Sequence, residues 1–122
     1  MRFRDGQAIH EQIVDYVVEE ILAGRWEEEH RLPSVREMAV ELGVNPNTVQ
    51  RSYGRLQDLE LIYNQRGIGH FIAPEAPRRA RDLRRDRFER EMLPTLFREM
   101  KSLDLGIAEI ERAWKNWKGA VQ

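Results

Sequence analysis

Apolar residues recur along this chain with two different periods, and the change between them marks out its elements. Ile9, Ile13, Val17 and Ile21 repeat every fourth residue, with Val14 and Tyr16 beside them and Glu11, Asp15, Glu19 and Glu20 as polar neighbours. That spacing predicts an amphipathic helix over Gln7–Ala23, stopped by Gly24. Trp26 is expected to pack under the loop that follows. Ser34-Val35-Arg36-Glu37 reads as a capping box, a serine N-cap with glutamate three residues on. The short helix it opens carries Val35, Met38, Ala39 and Leu42 on one face and ends at Gly43. Asn45 is a good N-cap, and Pro46 fits the first helical position, where its missing N–H costs nothing. The third helix runs from Pro46 to about Leu59, with Val49, Tyr53 and Leu56 facing inward. Then the period shortens. Leu61–Gln65 and His70–Ala73 are β-prone runs around Arg66-Gly67-Ile68-Gly69, which predicts a β-hairpin.

The rest of the chain returns to helical spacing. Pro74–Arg81, rich in Pro, Ala and Arg, reads as a linker. Phe88, Met92, Leu96 and Met100 lie four apart, with Leu93 and Phe97 alongside, so a helix is predicted over Leu83–Met100. Pro94 falls inside it and should kink or split it. Ile107, Ile110, Trp114, Trp117 and Val121 then step by 3, 4, 3 and 4, a narrow heptad seam. About two heptads are too few for a free-standing coiled coil. No internal repeat or low-complexity tract is present.

Two helices joined by a glycine turn, the second starting with exposed polar side chains, are the layout of a helix-turn-helix, whose second helix enters the DNA major groove N-terminus first. Asn47, Thr48, Gln50 and Arg51 are residue types that bond base edges and phosphates. With the hairpin as a wing and Arg66 at its tip, the expected fold is mainly α with a small β-hairpin. A winged helix-turn-helix would occupy residues 1–75, and a two-helix dimerisation region residues 76–122.

Composition alters this picture little. The 122 residues are 41% hydrophobic and 34% charged and contain no cysteine, so neither a disulfide framework nor a thiolate metal site is available. No apolar run approaches the roughly 18 residues of a membrane span. Met-Arg-Phe-Arg-Asp-Gly at the start lacks the apolar centre of a secretory signal, so a cytoplasmic protein is expected. The net charge of −1 looks wrong for a DNA binder. Its distribution matters more: residues 1–77 hold eight arginines against thirteen carboxylates, residues 78–122 twelve basic against eight acidic residues. From Leu42 to Pro74 only Asp58 and Glu60 are acidic, against Arg51, Arg55 and Arg66. Screening limits a charge's reach to about 8–10 Å, so such a local face can meet phosphate. The arginines at 78, 79, 81, 84, 85 and 87 fit a solvated helix face paired with Asp82, Asp86 and Glu89 better than an extended phosphate footprint.

His10, His30 and His70 are scattered without metal-ligand spacing. No nucleophile–base motif is present, and Gly67-Ile68-Gly69 is no nucleotide fingerprint because no helix follows it. Neither an enzyme, a metal nor a cofactor is expected.

Four motifs carry a family resemblance: Ala8-Ile9-His10-Glu11-Gln12-Ile13, Leu32-Pro33-Ser34-Val35-Arg36-Glu37-Met38-Ala39, Val44-Asn45-Pro46-Asn47-Thr48-Val49 and Gly67-x-Gly69-x-Phe71. In this order and spacing, over residues 7–73, they resemble GntR-type bacterial transcription regulators. The Asn-Pro-Asn-Thr-Val piece and the short tail resemble the YtrA subfamily, whose members carry two C-terminal dimerisation helices in place of a large effector domain. The resemblance implies DNA contacts by Arg36, by Asn45, Asn47 and Thr48 at the start of the recognition helix, and by Arg66 and Gly67 in the wing. Many members of the family have arginine where this chain has Pro46 and Gln50, so their operator consensus does not transfer.

The combined expectation is a homodimeric, sequence-specific regulator of transcription, acting as a repressor on a palindromic operator in double-stranded DNA. DNA-binding residues would be Arg36, Asn45, Asn47, Thr48, Gln50, Arg51, Arg66 and Gly67. Dimerisation residues would be Phe88, Met92, Leu96, Met100, Ile107, Ile110, Trp114 and Trp117. Two rival readings are a regulator sensing a small molecule at its dimer interface, with the effector unspecified, and a winged helix that docks proteins instead of DNA. The alternative for Arg36 is a solvated helix residue tied to Glu37 or Glu41, against which its place in the motif counts, and Tyr53 is expected in the core.

Overall fold

A computed structural model describes the backbone of residues 2–121 and the side chains of residues 2–117. Within the first compact unit, residues 1–83, three helices come first: α1 (Ile9–Leu22), α2 (Val35–Leu42) and α3 (Pro46–Asp58). The antiparallel strands β1 (Ile62–Gln65) and β2 (Gly69–Ile72) follow, paired Ile62↔Ile72 through Gln65↔Gly69. The core holds Ile13, Val17 and Ile21 from α1, Met38 and Ala39 from α2, and Val49, Tyr53 and Leu56 from α3, closed by Leu32, Leu61, Ile62 and Ile72; Ile9, first in the expected α1 row, is exposed, and Val18, outside that row, is buried.

Both expected caps form. Ser34 Oγ accepts from the Glu37 N–H at 3.1 Å while a Glu37 carboxylate oxygen accepts from the Ser34 N–H at 2.8 Å. Asn45 Oδ1 accepts from the Asn47 N–H at 2.8 Å. Gly43 closes α2 at φ +69, the left-handed conformation glycine adopts without a Cβ clash. Trp26 packs edge-on to Tyr16 and stacks on His30, ring centroids 5.9 and 5.4 Å apart.

The structure departs from the sequence reading in three places. Residues 29–32 were expected to be loop. They instead meet the free edge of β2 through one isolated bridge: the Leu32 N–H donates to His70 O, and the Ile72 N–H to His30 O, both at 2.9 Å. Arg31 lies opposite Phe71 in this bridge.

The expected linker at 74–81 is helical. α4 spans Ala76–Arg87, with Pro77 in its first turn, where no N–H is needed. Ala76 and Ala80, one turn apart, are fully buried in the core of the first unit. The compact unit therefore runs to Leu83.

Third, the irregularity expected at Pro94 is a widened turn just ahead of it. A π-helical segment, Phe88–Met92, precedes α5 (Leu93–Ser102), and the Leu93 N–H donates to Phe88 O. Widening the turn just before a proline relieves the clash of its ring with the preceding turn. The Thr95 hydroxyl donates to the Glu91 carbonyl there, at 2.9 Å. α6 (Ile107–Val121) completes the second unit, and the Gly106 N–H bonds the Glu109 carboxylate at its start.

Candidate nucleic-acid interface

Three short stretches carry the polar candidates, and the core sets which way each faces. On α3, Val49, Tyr53 and Leu56 are buried, so Asn47, Gln50 and Arg51 stand on the exposed side of the same helix, with Thr48 half-buried between. The helix is held from behind. Tyr53 donates its hydroxyl to Pro33 O at 2.7 Å, and its ring meets His70 edge-on at 4.9 Å. Ser52 Oγ lies 2.9 Å from Thr48 O and 3.0 Å from His10 O, tying α3 to α1. Burial pushes the Tyr53 hydroxyl well above the usual phenol range and pulls His70 below the usual imidazole value. Both groups stay neutral near pH 7 and act as packing and hydrogen-bonding groups. Tyr53 is core, as the plainer reading held.

On α2, Arg36 is the second helical residue and is exposed. Its alternative role as a partner of Glu37 is not realised. The Glu37 carboxylate is engaged by the Ser34 backbone N–H, then by the Ser34 hydroxyl, and these hold it below the usual carboxylate range.

At the wing, the Ile68 N–H donates to Gln65 O at 2.9 Å, closing a turn with Arg66 and Gly67 at its centre. Gly67 has φ +79, so a side chain there would strain the turn. Arg66 is exposed at the tip.

Several arginines outside these stretches are paired. Arg25 bonds Glu20 at 2.8 Å, Arg78 bonds Glu75 at 2.9 Å and reaches Asp82 at 3.4 Å, and Arg90 bonds Asp86 at 2.7 Å. Arg79 bonds the Glu60 carbonyl at 3.1 Å. Arg36, Arg51, Arg55 and Arg66, by contrast, make no hydrogen bond or ion pair to any described residue. Unpaired guanidiniums beside exposed amides, with no carboxylate between Leu42 and Gln57, leave fork donors free for phosphates and base edges. Asn45 is committed to its cap.

Two residues that sequence reading passed over also matter. Gln12 is buried and bonds the Arg4 N–H and O, both at 2.8 Å, and Gln7 O at 2.9 Å, fixing the N-terminal segment to α1. Arg31 lies beside the wing, bridged to Phe71 of β2. Gln12 sits inside a recognisable motif, but nothing local marks Arg31.

In the second unit, the dimerisation candidates Phe88, Met92, Leu96, Ile107, Trp114 and Trp117 are all exposed, as are Phe97 and Leu103. Trp114 and Trp117 stack with centroids 5.6 Å apart. Ile110 is half-buried. Met100 is already 8% exposed in the single chain and has little surface left to offer a second one. The Val121 side chain lies outside the described residues. Among the described residues no helix is long and apolar enough to cross a membrane.

The fold and this surface define a winged helix-turn-helix protein of the DNA-binding kind. Residues 9–72 match the bacterial regulatory proteins of the gntR family, and the chain belongs to that family. The HTH-type transcriptional regulator YhcF of Bacillus subtilis is 36% identical over 104 residues, covering 85% of this chain and 84% of YhcF. The HTH-type transcriptional repressor YtrA of the same organism is 38% identical over 73 residues, or 60% of this chain and 56% of YtrA. A solved GntR-family regulator from Bacteroides thetaiotaomicron superposes with a TM-score of 0.82 at 43% identity, covering 94% of this chain and all of that one. The AraR DNA-binding domain, solved in complex with its operator ORX1, shares the fold at a TM-score of 0.53 and 22% identity, over 59% of this chain and 93% of that one. The chain is thus a YtrA-like DNA-binding transcription regulator, from a family of regulators and not of enzymes.

Proposed function

We propose that the protein is a cytoplasmic, homodimeric repressor that binds a palindromic operator. The observation that carries this reading is the exposed polar start of α3, Asn47, Gln50 and Arg51, with Arg36 and Arg66 likewise exposed and unpaired and no carboxylate between Leu42 and Gln57. α3 enters the major groove. Asn47 and Gln50 read base edges, Thr48 and Arg51 support them, and Asn45 sets the helix start. Arg36 anchors the front of α2 on the duplex, and the Arg66–Gly67 tip adds backbone or minor-groove contacts.

The exposed apolar side chains of the π segment, α5 and α6 pair two subunits, so the two recognition helices meet successive major grooves about one helical turn, or a multiple of it, apart. Phe88, Met92, Leu96, Ile107, Trp114 and Trp117 form a set too large and too apolar to stay in water unpartnered. That the relative YtrA is a transcriptional repressor supports the proposed sign of regulation.

Footprinting the full chain on DNA upstream of its own gene tests the reading, followed by transcription from that promoter with and without protein. A protected inverted repeat and lowered transcription are expected. Protection of a single half-site, or raised transcription, would overturn the palindrome or the repressor assignment respectively.

A further inference from the structure

We propose that Arg31 is a second phosphate-binding cation of the wing, held in place by the space that Gly69 leaves open. The inference rests on the operator-binding reading and assigns it a residue outside the recognised motifs. Backbone bonds on both sides fix Arg31 in the sheet. The Glu29 N–H donates to Ile72 O and the Leu32 N–H to His70 O, both at 2.9 Å, and Arg31 faces Phe71 across the bridge.

Strand alternation then decides its face. Leu32, Ile62 and Ile72 point into the core. Arg31 lies on the opposite face with Phe71 and Tyr63, which stack at 5.7 Å. From there its side chain runs towards the tip. A Cβ built on Gly69 would lie 2.9 Å from Arg31 Nε, 3.4 Å from Nη2 and 3.5 Å from Cζ. Gly69 also has φ +150, which side chains rarely adopt. Any other residue there would push the guanidinium away.

Gly69 pairs with Gln65, the residue before the Arg66–Gly67 turn, so the guanidinium sits one pair behind the tip. It is exposed and makes no hydrogen bond or ion pair to a described residue; only a weak attraction to Glu37 is felt. A planar cation with unspent donors, pinned on a rigid sheet, suits a phosphate oxygen. Its place behind the tip, on the sheet face, favours backbone contact over base reading.

The test uses the full chain and the operator selected by the wild type, with fluorescence anisotropy across a salt series. Each phosphate contact contributes about −0.9 to the slope of log affinity against log salt. Arg31→Gln and Arg66→Gln should each make the slope shallower by about one and weaken binding about tenfold at moderate salt, and the double variant should lose about two in slope. Site preference should not change. If Arg31→Gln matches wild type in affinity and slope, the assignment falls while the operator reading stands. If its effect vanishes in the Arg66→Gln background, Arg31 only supports the tip and the assignment also falls. A changed consensus would make it a base reader instead. A wild-type chain that selects no DNA overturns the operator reading and this inference together.

Discussion

Replacing Tyr53 by phenylalanine removes one oxygen from a site where the structure gives that oxygen a defined task. The side chain is fully buried, and its hydroxyl donates at 2.7 Å to the carbonyl of Pro33, joining α3 to the segment that leads into α2. The ring stays, so no cavity of consequence opens. What is lost is one net hydrogen bond, with a carbonyl left short of its donor. Together these amount to about 1.5–2 kcal/mol. For a unit of this size that is on the order of 10 °C in Tm.

A second signature follows from titration. Burial raises the Tyr53 pKa above its ordinary value of 10.0. A raised folded-state value means that the folded chain holds a proton the unfolded chain releases. Stability is therefore unaffected below pH 10 and falls as pH rises beyond it. Tyr53→Phe lacks this proton. The stability gap between wild type and variant should be constant from pH 7 to 9.5 and shrink above pH 10. Urea denaturation followed by circular dichroism at each pH measures it. A gap that stays constant to pH 11, or a variant as stable as wild type at pH 7, would refute the reasoning.

Arg36→Ala should weaken operator binding by about 1–3 kcal/mol with an unchanged circular dichroism spectrum; anisotropy checks it, and unchanged affinity removes Arg36 from the interface. Asn47→Ala and Gln50→Ala should alter the consensus obtained by binding-site selection, whereas Arg66→Ala should weaken all sites evenly; the reverse pattern would invert the division of labour. Trp114→Glu combined with Trp117→Glu should leave the monomer fold intact, since both side chains are more than half exposed. Sedimentation equilibrium should then show monomers, with operator affinity lower by orders of magnitude. Ser34→Ala should cost about 1 kcal/mol at neutral pH, typical of a lost N-cap. Glu37 is held below its ordinary value of 4.5 by the Ser34 backbone N–H, which alanine keeps, and then by the Ser34 hydroxyl, which alanine lacks; only the hydroxyl's share separates the two proteins, so the deficit of the variant should narrow slightly as pH falls through the depressed value.

What could be read from sequence was what is local. Ser34, Glu37, Gly43, Asn45 and Pro46 act within one turn of themselves, and each performs the expected task. The inward rows of α1 and α3 were legible because helical period and burial agree. The bridge at 29–32 was not: that segment has no alternation of its own and pairs only through β2, some forty residues later. The start of α4, up to Arg81, reads as linker because it is rich in Pro, Ala and Arg, although the alanines at 76 and 80 are the spacing of a buried helical face. Pro94 announced an irregularity without specifying its kind, since a kink, a break and a widened turn all accommodate the missing N–H. Arg36, Arg51 and Arg66 were chosen by residue type and motif. That they are unpaired depends on where every carboxylate ends up, which only the folded chain fixes.

The bridge between residues 29–32 and β2 bears on how such regulators can be recombined. Two four-residue strands make a poor structure alone, and here the hairpin is completed by a piece of chain that lies ahead of the entire helix-turn-helix. A wing in this protein is thus encoded in two places, at 29–32 and at 62–72. A chimera that imports only the hairpin from a relative inherits the wrong neighbour for Gly69 and Phe71. An exchange that carries both pieces moves the wing as a working part and leaves the recognition helix between them untouched.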